Sequence, residues 1–261
     1  MTAEMKILLV ADIHYNLRQW DWLIDAMDRF DIVAIAGDLL DIGSMVPPAV
    51  QVVVVKKYLS RLAERATLLV CSGNHDIVSP KIGSEPDAGW LQTCRRETLH
   101  VDGDTFEKLD HFFSILPWWE TPAAAAEVEE LLVRHEKQRA GRPWIWIYHP
   151  PPLGTSTAWN GHDDLGDSRH CKWIERFRPT MTLGGHIHLA PFMKNGSWID
   201  VINGCFTFNS GRQPGPRPTF TIIDTDQMHA MWIANEDAQQ AELREPLICN
   251  PIDEKHPPPA V

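Results

Sequence analysis

The stretch Met5-Lys6-Ile7-Leu8-Leu9-Val10-Ala11-Asp12-Ile13-His14 decides the architecture of this chain. Its apolar residues are continuous, not alternating, which predicts a strand buried on both faces. The run breaks off at Asp12 and His14, two side chains able to bind a ligand. The same punctuation recurs: Ile32–Ala36 runs into Gly37-Asp38, and Thr67–Cys71 into Gly73-Asn74-His75-Asp76. Trp144–Tyr148 runs into His149-Pro150-Pro151-Pro152, and Pro179–Leu183 into Gly184-Gly185-His186-Ile187-His188.

Helical patterns separate these runs. Trp20, Leu23, Ile24 and Met27 lie three and four apart behind Asn16, a candidate N-cap. Pro48–Arg65 reads as a helix with a proline at its start. Thr121-Pro122 opens another, which runs through strong helix formers to Arg139 and ends before Gly141. Ser168–Phe177 is a shorter one. Strands alternating with helices predict an α/β sheet. After His188 the character changes: Trp198–Ile202, Thr219–Asp224 and Met228–Ile233 read as strands joined by turns, with no helix among them. Residues Arg212 to Pro218 are a loop on glycine and proline content. We expect one domain over 1–249 and a proline-rich tail over 250–261.

The chain has 261 residues, 44% of them hydrophobic and 23% charged, which excludes wholesale disorder. Its formal charge of −11 opposes a surface that neutralises many phosphates, so no duplex nucleic acid is expected as a partner. The run that ends at Asp12 is too short for a signal-peptide core, and Val46–Val55 is broken by Pro47, Pro48 and Gln51. No membrane span is expected, since crossing takes roughly 20 apolar residues. Five cysteines without a Cys-x-x-Cys spacing indicate neither a disulfide framework nor a zinc knuckle, and a cytoplasmic setting is the expectation.

The polar residues at the strand ends carry the chemistry. In an open α/β sheet, ligands bind at the carboxyl ends of the strands. That placement would gather Asp12, His14, Asp38, Asn74, His149, His186 and His188 into one cluster. Imidazole, carboxylate and amide oxygen suit Mn, Fe or Zn and not a soft thiolate site. Seven such ligands suit two metal ions that share one carboxylate. Taken singly, His14 or His149 reads as a hydrogen-bonded strand end, and Gly73-Asn74 as a tight turn. Only as an ordered set do they read as ligands.

Asp12-x-His14, Gly37-Asp38-x-x-Asp41, Gly73-Asn74-His75-Asp76, His149 and Gly185-His186-x-His188 together resemble, in order, the five blocks of the calcineurin-like metallophosphoesterase superfamily. The resemblance implies a four-layer αββα sandwich with two mixed sheets. It implies that Asp12, His14 and His188 hold a first metal, that Asn74, His149 and His186 hold a second, and that Asp38 bridges them. His75 would be the catalytic residue that meets the phosphate or protonates the leaving oxygen. Asp41 matches the aspartate that orients such a histidine in some branches, and Asp76 is its rival for that role.

The expected activity is hydrolysis of a small phosphodiester by metal-bound hydroxide. The His149-Pro150-Pro151 context resembles the cyclic-nucleotide phosphodiesterase branch. The alternative is a phosphomonoesterase on a small molecule or phosphoprotein; against a protein phosphatase, Asp41 is followed by Ile42-Gly43 and not Arg-Gly. A non-catalytic metal-binding scaffold and a nuclease for short single strands are the remaining readings. The loop Leu153–His170 is a candidate lid, in which Arg169, Trp159 and His170 are candidate substrate contacts. Trp144 and Trp146 are expected in the core. Trp118 and Trp119 are open between a pocket and a subunit contact, and Ser79–His111 is an excursion near the rim of the site.

Overall fold

A computed structural model of the chain describes residues 5–78 and 87–252. The first half alternates strand and helix: β1 (Lys6–Val10), α1 (Leu17–Ala26), β2 (Ile32–Ala36), α2 (Pro48–Ala63), β3 (Thr67–Cys71), α3 (Gly89–Gln92) and β4 (Leu99–Val101). A hairpin of β5 (Thr105–Lys108) and β6 (His111–Ile115) leads to α4 (Pro122–Arg139), β7 (Trp144–Ile147), α5 (Ser168–Phe177) and β8 (Met181–Gly184). Six strands close the chain: β9 (Ile199–Ile202), β10 (Cys205–Asn209), β11 (Phe220–Asp224), β12 (His229–Ile233), β13 (Ala238–Glu242) and β14 (Cys249–Pro251).

These strands form two mixed sheets. One has the order β14-β13-β12-β11-β1-β2-β3-β4 and the other β5-β6-β7-β8-β10-β9. β1 to β4 are parallel to one another and so are β6, β7, β8 and β10, while β11, β5 and β9 join antiparallel. All the ligand-bearing loops therefore leave the same edges of the two sheets.

The continuous apolar runs acquire a physical meaning here, because alternate residues serve two different cores. Ile7, Leu9 and Ala11, with Ile32, Ala34 and Ala36, pack between the sheets against Ile145, Ile147 and Leu183. Leu8, Val10, Val33 and Ile35 face outward onto Trp20, Leu23, Val55 and Leu59 of α1 and α2. Trp144, Trp146 and Tyr148 face the other way, onto Leu132 of α4 and Trp173 and Phe177 of α5. The result is the four-layer αββα sandwich. Trp144 and Trp146 are fully buried core residues, as expected.

Several expectations change in detail. Asn16 precedes α1 but does not cap it; its Nδ2 donates to the carbonyl of Gly215 instead. Thr121 does cap α4, its hydroxyl accepting from the amide of Ala124. The aperiodic excursion contains α3, β4 and β5, elements too short to show a period; its residues 79–86 lie outside the described residues. A 3-10 turn, Ala190–Phe192, follows His188 where no helix was expected. β14 runs through Pro251, past the start of the expected tail, whose residues 253–261 lie outside the described residues. Among the described residues no helix is long and apolar enough to cross a membrane.

Candidate metal centre

Each ligand-bearing loop turns sharply off its strand. Asp12, His14, Asp38 and His186 all have positive φ, at 55°, 44°, 54° and 73°. Side chains other than glycine rarely adopt this region, and such strain concentrates at functional sites. The backbone holds the turns together: the amide of Asp12 donates to Gly37 O (3.1 Å) and that of His14 to Asp38 O (2.9 Å). Asp76, fully buried, accepts at Oδ1 from the amides of Leu39 (2.9 Å) and Leu40 (3.0 Å), and at Oδ2 from Gly73 (2.8 Å). It ties the Asp38 loop to the Asn74 loop.

The donor atoms converge as two overlapping groups. Asp12, His14, Asp38 and His188 have one ligand atom each within 4.8 Å of the others, and so do Asp38, His149 and His186. His14 Nε2 lies 3.0 Å from His188 Nε2, and His188 Nε2 lies 3.2 Å from Asp12 Oδ1. His186 Nδ1 lies 3.2 Å from His149 Nε2. Asp38 belongs to both groups: its Oδ2 is 3.4 Å from His14 Nε2 and 3.4 Å from His149 Nε2. His149 Nδ1 is 2.7 Å from the carbonyl of Ala36, to which it donates, leaving Nε2 as the nitrogen that faces the cluster and that would ligate a cation on losing its proton.

The electrostatics match this crowding. Burial opposes the charge on Asp12, but His14, His188 and His149 hold its carboxyl well below the usual range. Burial also opposes a charged His149, yet Asp38 and Asp12 push its pKa up to about 9. Burial, reinforced by the charge of His149, pushes His186 down to about 4. Asn74 Oδ1 provides a separate sign: it is shut away from solvent with no hydrogen-bond partner. An unpaired buried polar atom costs about 1–3 kcal/mol, which coordination of a cation would remove. The donor set and this orphaned oxygen both fit O/N-ligated metal ions.

The glycines beside the ligands are there for space. A Cβ on Gly73 would collide with Asp38 Oδ1 and the Asp38 amide; one on Gly185 would collide with Asp12 Oδ2 and Ala11. One on Gly37 would meet the His149 ring. Gly73→Ala should therefore displace Asp38 and lower bound metal and turnover together, by roughly tenfold or more, as expected when the support of a ligand is lost. Elemental analysis of the purified variant showing the parent metal content would contradict this.

His75 sits beside His14, with ring centroids 4.3 Å apart, and its Nδ1 accepts from the Ile42 amide at 3.3 Å. Asp41 shares this corner, with a carboxylate oxygen within 4.8 Å of ring nitrogens of His14 and His75. Asp76, the rival to Asp41, is instead occupied by its three amides and does not reach the His75 ring through any hydrogen bond. The three residues of the candidate lid are placed as follows. His170 is buried, stacked on Trp146 and donating from Nδ1 to Pro150 O, so it supports the loop from beneath. Trp159 Nε1 donates to Lys194 O, and Arg169 lies over the Trp119 ring at 5.1 Å.

Two supports escaped the sequence reading. Gln51, buried on α2, accepts from the Asp41 amide and donates to Asp41 O. Asn209 donates from Nδ2 to Ile187 O, between His186 and His188. Neither residue belongs to a local motif. Trp118 also joins the site: its ring centroid is 5.3 Å from that of His186 and 5.8 Å from that of His149.

A model of the calcineurin-like phosphoesterases matches residues 5–190, and the chain belongs to that family. TT1561 of Thermus thermophilus is similar in structure, with a TM-score of 0.58 at 13% identity over 95% of this chain and 99% of that one. Purple acid phosphatase PPD1 from yellow lupin (Lupinus luteus) seeds is similar with a TM-score of 0.51 at 14% identity, over 94% of this chain and 52% of that one. At such identities the likeness is one of fold. No curated protein matches the chain in sequence. Family and buried His/Asp cluster together support a metal-dependent phosphoesterase.

Proposed function

We propose that this protein hydrolyses a phosphodiester at a centre of two metal ions. The observation that carries the reading is the place of Asp38, whose Oδ2 is equidistant at 3.4 Å from one histidine of each donor group. Asp12, His14 and His188 would hold one ion, and Asn74, His149 and His186 the other, with Asp38 shared. Mn, Fe and Zn all suit these ligands. Bound there, the cations would draw charge from the phosphate oxygens and acidify water for attack on phosphorus. A P–O bond then breaks, giving a phosphomonoester and an alcohol.

The protein's own contribution beyond holding metal centres on His75. Burial pushes its pKa below the usual value, so the ring is uncharged at neutral pH. Because the Ile42 amide occupies Nδ1, the single ring proton resides on Nε2. His75 is thereby set to donate a hydrogen bond from Nε2 to a phosphate oxygen or to the charge that builds on the leaving oxygen. Asp41, whose carboxylate lies within 4.8 Å of a His75 ring nitrogen, would act as a positioning residue through its charge.

Preference for a diester draws support from the cleft beside His186, which has neither Lys nor Arg in its lining to meet the second charge of a monoester. Bis-p-nitrophenyl phosphate should show a kcat/KM about tenfold or more above that of p-nitrophenyl phosphate, a difference of about 1.4 kcal/mol in transition-state binding. A monoester preference would replace this reading with a phosphatase. Absence of hydrolysis of either ester by metal-loaded protein would favour a scaffold.

A further inference from the structure

A cleft of about 330 Å³ opens beside the metal ligand His186. Trp118 and Trp119 supply aromatic walls with the fully buried Tyr148 behind them, Leu165 an apolar rim, and Glu120 and Asp167 two carboxylates. Its lining contains no Lys or Arg. The walls are braced in series: Trp119 Nε1 donates to Tyr148 OH (2.7 Å), which donates to Asp167 Oδ2 (2.8 Å). The Arg169 guanidinium rests on one face of the Trp119 ring, which leaves Trp118 and the remaining Trp119 surface to a ligand.

We propose that this cleft seats a cationic alkylammonium substituent, of choline or ethanolamine type, carried on one arm of the phosphodiester. The inference rests on the phosphodiesterase reading above and names its substrate class. Aromatic faces attract a quaternary ammonium through their quadrupoles, and the exposed Glu120 carboxylate adds a complementary charge, whereas Asp167 is engaged by the Tyr148 hydroxyl and the Arg169 amide. A nucleobase fits less well, because its edge presents acceptors as well as donors. The side-chain donors here are committed: Trp119 to Tyr148, Tyr148 to Asp167, and His186 to the metal cluster. The remaining one, Trp118 Nε1, is shut away from solvent and has no hydrogen-bond partner, so a single donor is left where a base edge would need several.

The test compares p-nitrophenyl phosphorylcholine with its carbon isostere, 3,3-dimethylbutyl p-nitrophenyl phosphate, which has the same shape without the charge. In both, water adds to phosphorus and p-nitrophenolate leaves. The cationic ester should have a kcat/KM about tenfold higher, and Glu120→Gln, an exposed substitution, should cut that ratio roughly threefold. Equal rates for the two esters, or preference for thymidine 5′-p-nitrophenyl phosphate over both, would overturn the proposal. Turnover of bis-p-nitrophenyl phosphate without a choline preference defeats the cleft assignment alone and leaves the phosphodiesterase reading standing. If no ester is hydrolysed, that reading fails, and choline binding still decides the cleft. A saturable change in tryptophan fluorescence with choline, weakened in Glu120→Gln, supports it; no change overturns it. Glycerophosphocholine and short-chain phosphatidylcholine micelles separate a soluble ester from a lipid headgroup: turnover of either supports the proposal, and of neither counts against it.

Discussion

Asp38→Ala should abolish metal binding and turnover in one step, with a loss of about a thousandfold or more in kcat/KM. The reason is geometric. Asp38 Oδ2 faces His14 and His149 at the same 3.4 Å, and its Oδ1 accepts the His75 amide at 2.9 Å. Removing the side chain deletes the carboxylate common to both donor groups and releases the loop that carries Asn74 and His75. Replacing a ligand that serves only one group, as in His188→Ala, should leave the other group able to bind. Elemental analysis distinguishes the cases: about two ions per chain in the parent, about one in His188→Ala, and none in Asp38→Ala. Full occupancy in Asp38→Ala would show that the two groups do not share it.

His75→Ala should behave differently, lowering turnover by about 10²–10⁴ on esters with poor leaving groups while metal content stays near the parent value. Its ring lies beside His14 but belongs to neither of the two groups centred on Asp38. With p-nitrophenolate, which carries its own developing charge without help from a hydrogen-bond donor, the loss should shrink sharply. A plot of rate against leaving-group basicity should therefore be steeper in His75→Ala than in the parent. Equal slopes would remove the donor role from His75 and leave it a contact for phosphate.

The contrast between Asp76 and Asp41 shows where local reading runs out. Asp76 adjoins His75 in sequence while Asp41 lies on the preceding ligand loop, and the motifs alone let either orient it. Burial and the charge of Asp38 push the Asp76 pKa up to about 8, against the pull of three amide donors. Those donors come from two loops that the parallel pairing of β2 with β3 brings side by side. His170 makes the same point from the other side. Its position after a candidate lid suggested contact with substrate, but α5 turns that ring into the layer below the sheet, against Trp146 and Tyr148.

What the sequence determined by itself was the set of strands and the chemistry at their ends. An apolar run that stops at Asp, Asn or His is local information, and the residue spacing along each run already specifies burial on both faces. The positive φ values, the collisions that demand Gly37, Gly73 and Gly185, and the sharing of Asp38 were decided by tertiary structure alone. So was the cleft, whose walls come from residues 118–120, 148 and 165–167. Donor atoms from remote segments meet at distances set by how two sheets stack and twist, and no periodicity along a single strand encodes that separation.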